Sequence, residues 1–140
     1  MDNFYDTAKR MHKSSETLHS NGEFHNSCYM AGYVIECYAK IIVHVFSGGT
    51  LTPQSFRHNL HRLDTALNSI LIGNSSLSQY ILDGSTDFSM VLLNWNPVNL
   101  RYVNMADSLN RQDNSANFQV EVQLAMQKLA QLEIDGYNLT

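Results

Sequence analysis

The sequence predicts an all-α domain, an antiparallel up-and-down bundle of four main helices and one short helix. The stretch from Cys28 to Phe46 is apolar nearly all round, as is usual for a helix that is packed on several sides. Apolar residues recur at helical spacing in three further segments, and no segment has the alternation expected of a strand. The 140 residues fit one domain, 1–140, which is long enough to bury a core without metal ions or disulfides.

The first helix is predicted from a cap at Asp2 to about Ser20, and Asn21-Gly22 ends it. Its expected buried face consists of Phe4, Ala8, Met11, Ser15 and Leu18. The next helix begins near Glu23 or Phe24. Because the connection is so short, the two helices are expected to lie side by side and antiparallel.

The central helix carries a narrow polar stripe along an otherwise apolar surface. This stripe consists of Tyr29, Tyr33, Glu36, Lys40 and His44. Glu36 precedes Lys40 by four residues, the favourable order for an ion pair within a helix. Because their neighbours are apolar or aromatic, we expect the pair to be only partly exposed, either as a structural ion pair or as a ligand contact.

The same helix contains both cysteines, Cys28 and Cys37. Nine residues of helix separate them by about 13 Å, which is too far for a disulfide. We therefore expect two small core residues in a protein of a reducing compartment.

A loop that contains Pro53 separates the central helix from a third one. Arg57-His58-Asn59 leads into this third helix, and Gly73-Asn74 ends it. Its apolar face consists of Leu63, Leu67, Ile70 and Leu71.

The second half of the chain has weaker helical patterns until its final segment. Residues 75–95 indicate two short helices or one broken helix, and a polar, irregular segment to Asn114 carries Arg101 and Tyr102. Connections of that length are usually functional or mobile. The last helix is predicted over 115–135, with a buried face of Phe118, Val122, Ala125, Leu129 and Leu132.

Three short motifs follow one another along the chain. They are AGYVIECYAK at residues 31–40, His58-Asn59-Leu60 with Leu63, and Arg101-Tyr102 preceded by Trp95 and Pro97. Together they resemble the signature of the HEPN domain family, and the resemblance covers roughly Ser14 to Glu133. It implies a small helical bundle, commonly dimeric, that binds nucleotides or RNA. Members often act with a nucleotidyltransferase-like partner protein, and many are ribonucleases.

The ribonuclease signature of that family, an arginine with a histidine four to six residues later, is missing. Arg101 is followed by YVNMADSLN, which contains no histidine. Metal-free RNA cleavage needs a group that moves a proton near neutral pH, for which histidine is the natural choice. The sequence therefore predicts a non-catalytic protein. The alternative is a toxin-like HEPN ribonuclease with His58 or His61 as its base.

The predicted ligand-binding residues are Glu36, Lys40, His58, Arg101 and Tyr102. Arg101 offers a guanidinium for a phosphate or carboxylate, or it ties the loop to Glu36 or to an aspartate, and Tyr102 offers a ring face for a base. Further donors at the start of the third helix, where free N–H groups favour anions, are Arg57, Asn59 and His61. The expected ligand is a nucleotide or RNA. A dimerisation or partner-binding module without such a ligand is the other alternative.

No cofactor or metal ion is predicted. His58, His61 and Asp64 are spaced to lie along one helix, but no HExxH or cysteine-histidine pattern supports a metal site. The net charge of -4 argues against a broad nucleic-acid surface, although a small local site is compatible with it. No charge-free apolar run of about 18 residues is present, and the start MDNFYD lacks signal-peptide character. We expect a cytoplasmic homodimer that does not enter a membrane.

Overall fold

The structure is a computed structural model that describes residues 3–98 and 111–140. Five α-helices run through these residues: α1 Phe4–Ser20, α2 Phe24–Phe46, α3 Leu60–Gly73, α4 Ser89–Asn94 and α5 Gln112–Ile134. Short 3-10 helices at Pro53–Phe56 and Ser75–Gln79 lie before and after α3. The all-α prediction is confirmed, because the described part of the chain contains helices and no strand. Arg101 and Tyr102 lie outside the described residues.

Helix α2 is at the centre and packs against α1, α3 and α5. Every residue from Ala31 to Val43 is buried except Tyr33. The predicted buried face of α5 is confirmed in full, since Phe118, Val122, Ala125, Leu129 and Leu132 all lie in the core. Because it is surrounded in this way, α2 buries apolar side chains on nearly all sides.

Among the described helices, α2 has the length and apolar composition of a membrane span. In the structure, 67% of that stretch is buried inside the molecule. A core helix of a soluble protein meets the same criterion, so the composition of α2 is accounted for by its central place in the fold.

The start of α1 differs from the prediction. Asn3, rather than Asp2, caps the helix, because the side-chain oxygen of Asn3 accepts a hydrogen bond of 3.0 Å from the Asp6 N–H. Tyr5 is buried, whereas Phe4, which was expected in the core, is half-buried.

Small polar residues set the distance between α1 and α2. The Ser15 hydroxyl donates to the Ser27 carbonyl at 2.9 Å, and the Ser27 hydroxyl donates to the Ser15 carbonyl at 2.8 Å. The Gln119 amide, on α5, donates to both hydroxyls. These hydrogen bonds give the buried serine hydroxyls their partners, and they fix the register of the three helices without any charged group.

A tyrosine of α2 holds the segment that follows α3. The Tyr38 hydroxyl donates to the Tyr80 carbonyl at 2.5 Å and accepts from the Leu82 N–H at 2.9 Å. The Tyr38 side chain is fully buried, and both contacts satisfy backbone groups that have no helical partner. Residues 80–82 therefore run against the core.

Helix α4 has only six residues and is capped from another helix. Both carboxylate oxygens of Glu121, on α5, accept backbone N–H groups at its start, from Met90 at 3.0 Å and Val91 at 2.9 Å. A carboxylate at this position binds donors that a helix leaves unpaired. Glu121 thereby places α4, and the residues just after it, beside α2.

Candidate functional site

The candidate site is formed by Glu36 of α2 and His58, which lies two residues before α3. The His58 Nδ1–H donates to Glu36 Oε1 at 2.8 Å. The Glu36 side chain is only 5% exposed, while that of His58 is 52% exposed. With Nδ1 held by a buried carboxylate, Nε2 is the ring nitrogen left for a ligand or for solvent.

Lys40 completes the charged group on its buried side. Its Nζ lies 3.6 Å from the same oxygen, Glu36 Oε1, and 5.4 Å from the ring centre of Phe4. Glu36 and Lys40 are 4% and 6% exposed, so the pair is more deeply buried than we expected. The reason is long-range packing: Phe4 and His58 come from distant parts of the chain.

Burial raises the pKa of the Glu36 carboxyl above its ordinary value. Lys40 and His58, which favour the ionised form, oppose this effect. Removal from water is the largest influence, because a carboxylate loses most of its hydration when the helix is buried. Glu36 thus has a higher proton affinity than an exposed glutamate.

An aromatic cluster lies against the histidine. The Tyr33 ring is nearly perpendicular to those of His58 and Trp95, with centroid distances of 5.8 Å and 5.0 Å. Trp95 Nε1 donates to the Tyr29 carbonyl at 3.0 Å. The indole fits there because position 32 is glycine, where a Cβ would overlap the ring. Trp95 is therefore a packing residue.

The loop before α3 holds His58 in place. Pro53 and Phe56 are buried, and they anchor the short 3-10 helix. Arg57 then adopts a φ of 51° with ψ of -119°, a conformation that only glycine adopts at low energy. The Asn59 side chain caps α3 by accepting from the Arg62 N–H at 3.0 Å. The chain thus reverses direction sharply at His58.

Around His58 lies an open groove of about 920 Å³. Two segments line it, Ser55–Arg62 and Leu92–Val98. The first segment contributes Arg57, His58, His61 and Arg62, and no aspartate or glutamate is among the described lining residues. The groove is consequently basic in a chain whose net charge is -4.

Two of the three residues weighed as metal ligands take other roles, and the third, His61, lines the groove. Asp64 accepts a hydrogen bond of 2.9 Å from the Gly84 N–H, and His58 is bonded to Glu36. Within residues 3–98 and 111–140, no group of three or more histidine, cysteine, aspartate or glutamate side chains is arranged to hold a metal ion. The described residues therefore offer no metal centre.

The structure brings together three of the five predicted ligand residues, Glu36, Lys40 and His58. The two others, Arg101 and Tyr102, fall in the part of the chain that is not described. Arg57, Asn59 and His61, which were expected near the site, line the groove.

Sequence reasoning missed Arg62 and the exposed Leu93. Leu93 could have been found from its position, because it is out of phase with the apolar face formed by Val91, Leu92 and Trp95.

Comparisons of this chain with protein-family models, with curated proteins and with solved structures give no match. The HEPN resemblance accordingly rests on the three sequence motifs.

Proposed function

We propose that this chain is a HEPN-like domain, an antiparallel up-and-down bundle, that binds a nucleotide or RNA in the groove beside His58. The observation that supports this proposal most directly is the bond between the buried Glu36 and the half-exposed His58. A buried carboxylate that orients one face of an imidazole is costly to maintain for stability alone, and such groups are enriched at functional sites.

The phosphate groups of the ligand have suitable partners on the basic side of the groove. Arg57 and Arg62 present guanidinium groups, which bind phosphate oxygens through two parallel hydrogen bonds. His58 Nε2 is available for a further contact. Glu36 and Lys40 act from beneath by orienting the His58 ring, because both are buried. Arg101 and Tyr102 remain predicted ligand contacts.

The proposed protein does not cleave its ligand, because the arginine-histidine signature is missing from the sequence. It acts in the cytoplasm as a homodimer and works with a nucleotidyltransferase-like partner protein, as the family resemblance implies.

One observation favours ribonuclease activity as a second candidate. His58 and His61 line the same groove, and the Glu36 carboxylate orients His58. In that case His58 would accept the proton of a ribose 2′-hydroxyl while His61 protonates the leaving 5′-oxygen.

Isothermal titration calorimetry with AMP, ATP and a short single-stranded RNA tests the proposal. We expect heat of binding from at least one of them, and His58→Ala should weaken that binding at least about tenfold, since a charged hydrogen bond contributes about 1.5–3 kcal/mol. His44→Ala, at an exposed position near the end of α2, serves as the control and should bind like the wild type.

No heat with any of the three ligands would refute nucleotide and RNA binding. RNA cleavage that His58→Ala abolishes would establish the ribonuclease instead.

A further inference from the structure

Besides Asn94, Trp95 and Asn96, the second side of the groove carries two exposed aliphatic side chains that do not suit a nucleotide. Leu93 is 75% exposed and Val98 is 61% exposed, and both line the groove. Aliphatic side chains neither stack on bases as aromatic rings do nor bind phosphate. Exposed apolar surface inside a concave site is typical of a surface that another molecule covers.

The two sides together have the character of a protein-binding groove. Arg57 and Arg62 stand on one segment, and Leu93 and Val98 on the other. No acidic side chain lies among the described lining residues to neutralise the arginines. A complementary partner must therefore present carboxylates on one side and aliphatic side chains on the other.

We propose that this groove docks an acidic amphipathic helix of a partner protein. An amphipathic helix presents apolar residues at i, i+3, i+4 and i+7, which would cover Leu93 and Val98, while flanking glutamates or aspartates pair with Arg57 and Arg62. A nucleic acid can bind the arginines and His58 but not the aliphatic side chains, and a basic helix is repelled by the arginines. Charge complementarity and the exposed aliphatic residues both select the acidic helix.

This inference rests on the proposed function in one respect, because the helix and the RNA share the arginines. A docked helix would exclude the nucleotide or RNA from the groove, so that the partner protein regulates ligand access. The groove is lined by 15 described residues, fewer than the roughly 20–30 on one side of a standard protein interface, and we expect affinity in the micromolar range that falls with added salt.

Fluorescence anisotropy with a labelled synthetic peptide tests the proposal on the full chain. The probe is an 18-residue helical peptide with leucine at i, i+3, i+4 and i+7 positions and glutamate elsewhere. Its matched control has lysine in place of every glutamate. We expect the acidic peptide to bind at least about tenfold more tightly than the basic one, since carboxylates form charge-assisted hydrogen bonds with the arginines whereas lysines are repelled by them.

Two variants separate the two sides of the groove. Leu93→Ser should weaken the acidic peptide about tenfold, in line with the loss of a buried leucine, and should weaken RNA by a smaller factor, because an aliphatic side chain binds no phosphate. Arg62→Gln should weaken both ligands. Ile72→Ser is the control, because Ile72 is 86% exposed on α3, lies outside the groove and should change neither affinity.

The outcomes distinguish failure of this inference from failure of the proposed function. Peptide binding without RNA binding would sustain the helix-docking site and refute the nucleotide-binding role. RNA binding without peptide binding would do the reverse. Equal affinity for the acidic and basic peptides, binding unaffected by Leu93→Ser, or a preference for vesicles of anionic phospholipid over the peptide would each overturn the docking proposal.

Discussion

Gly32 shows how one residue sets the position of a distant segment. The Trp95 indole lies directly on the α2 backbone at this glycine, so that a side chain of any size would occupy the volume of the ring. Trp95 in turn contacts Tyr33, whose ring lies against His58. The glycine therefore influences the groove through a chain of packed rings, although it makes no polar contact with the site.

We predict that Gly32→Ala lowers the free energy of unfolding by about 3 kcal/mol, because the added methyl group forces the indole out of place. Chemical denaturation followed by circular dichroism measures this change. Gly73→Ala is the matched control, since a Cβ there meets no atom within 4 Å, and it should be neutral or stabilising by about 0.5–1 kcal/mol. Equal stability of Gly32→Ala and the wild type would contradict the packing of Trp95 on α2.

Glu36 shows which features of the site could be predicted from the sequence and which could not. Its pairing with Lys40 follows from local spacing and is confirmed. The depth of burial could not be predicted, because it depends on Phe4 and His58, which reach α2 from elsewhere in the chain. The unusual φ of Arg57 likewise left no sequence signal, since arginine rarely adopts it.

At the level of helices, α4 depends on a contact from outside itself. Six residues are too few for a stable isolated helix, and its first N–H groups bind the Glu121 carboxylate of α5. Because Leu92 to Asn94 belong to α4 and residues 95–98 follow it directly, this cap also supports one side of the groove.

We predict that Glu121→Gln lowers the free energy of unfolding by about 1–3 kcal/mol, because the amide nitrogen cannot accept from the Met90 or Val91 N–H and leaves one buried donor unpaired. Urea denaturation measures the change. Glu16→Gln, at a position that is 59% exposed on its side chain, is the control and should alter stability by less than about 0.5 kcal/mol. A Glu121→Gln protein as stable as the wild type would show that α4 does not need this cap.

Long helices were predictable because their apolar faces repeat many times. Helix α2 ends at Phe46, where the apolar stretch ends, and α3 ends at Gly73, as predicted. In contrast, α5 begins at Gln112, three residues before the predicted Ser115. That first turn is polar and exposed at its start, so it adds nothing to the apolar pattern. For residues 75–95 the sequence left open two short helices or one broken helix, and the structure has two separate ones, a 3-10 helix at Ser75–Gln79 and α4. Elements this short repeat too few apolar positions to decide between the two alternatives.

For the molecule as a whole, net charge and local charge differ. The chain carries -4, yet the described groove residues include two arginines, two histidines and no acid. Three carboxylates, those of Glu36, Asp64 and Glu121, are instead used inside the fold as hydrogen-bond acceptors. Overall charge therefore informs solubility and long-range attraction, but the composition of the groove decides what binds there.

Because its carboxyl is buried, Glu36 makes the free energy of unfolding fall as the pH rises, whereas the carboxylate of a surface ion pair makes it rise. Burial raises the pKa of Glu36 in the folded state, so the folded chain holds this proton more tightly than the unfolded chain, whose glutamate has its ordinary value of 4.5. The resulting stabilisation is fully present below pH 4.5 and is lost as the pH rises through the folded-state pKa.

We predict that between pH 4 and pH 6 the free energy of unfolding falls with rising pH more steeply for the wild type than for Glu36→Gln, which cannot titrate at this position. Each unit by which the pKa is raised changes the free energy of unfolding by about 1.4 kcal/mol, which sets the scale of the difference between the two curves. Lys40 and His58 face the carboxylate and reduce the effect without reversing it. Urea denaturation at half-unit pH intervals gives both curves, and Glu16→Gln should follow the wild type. Two results would contradict this prediction: parallel curves of unfolding free energy against pH for the wild type and Glu36→Gln, or a wild type that gains stability relative to the variant as the pH rises. Either result would mean that Lys40 and His58 outweigh burial and that Glu36 is ionised throughout this pH range.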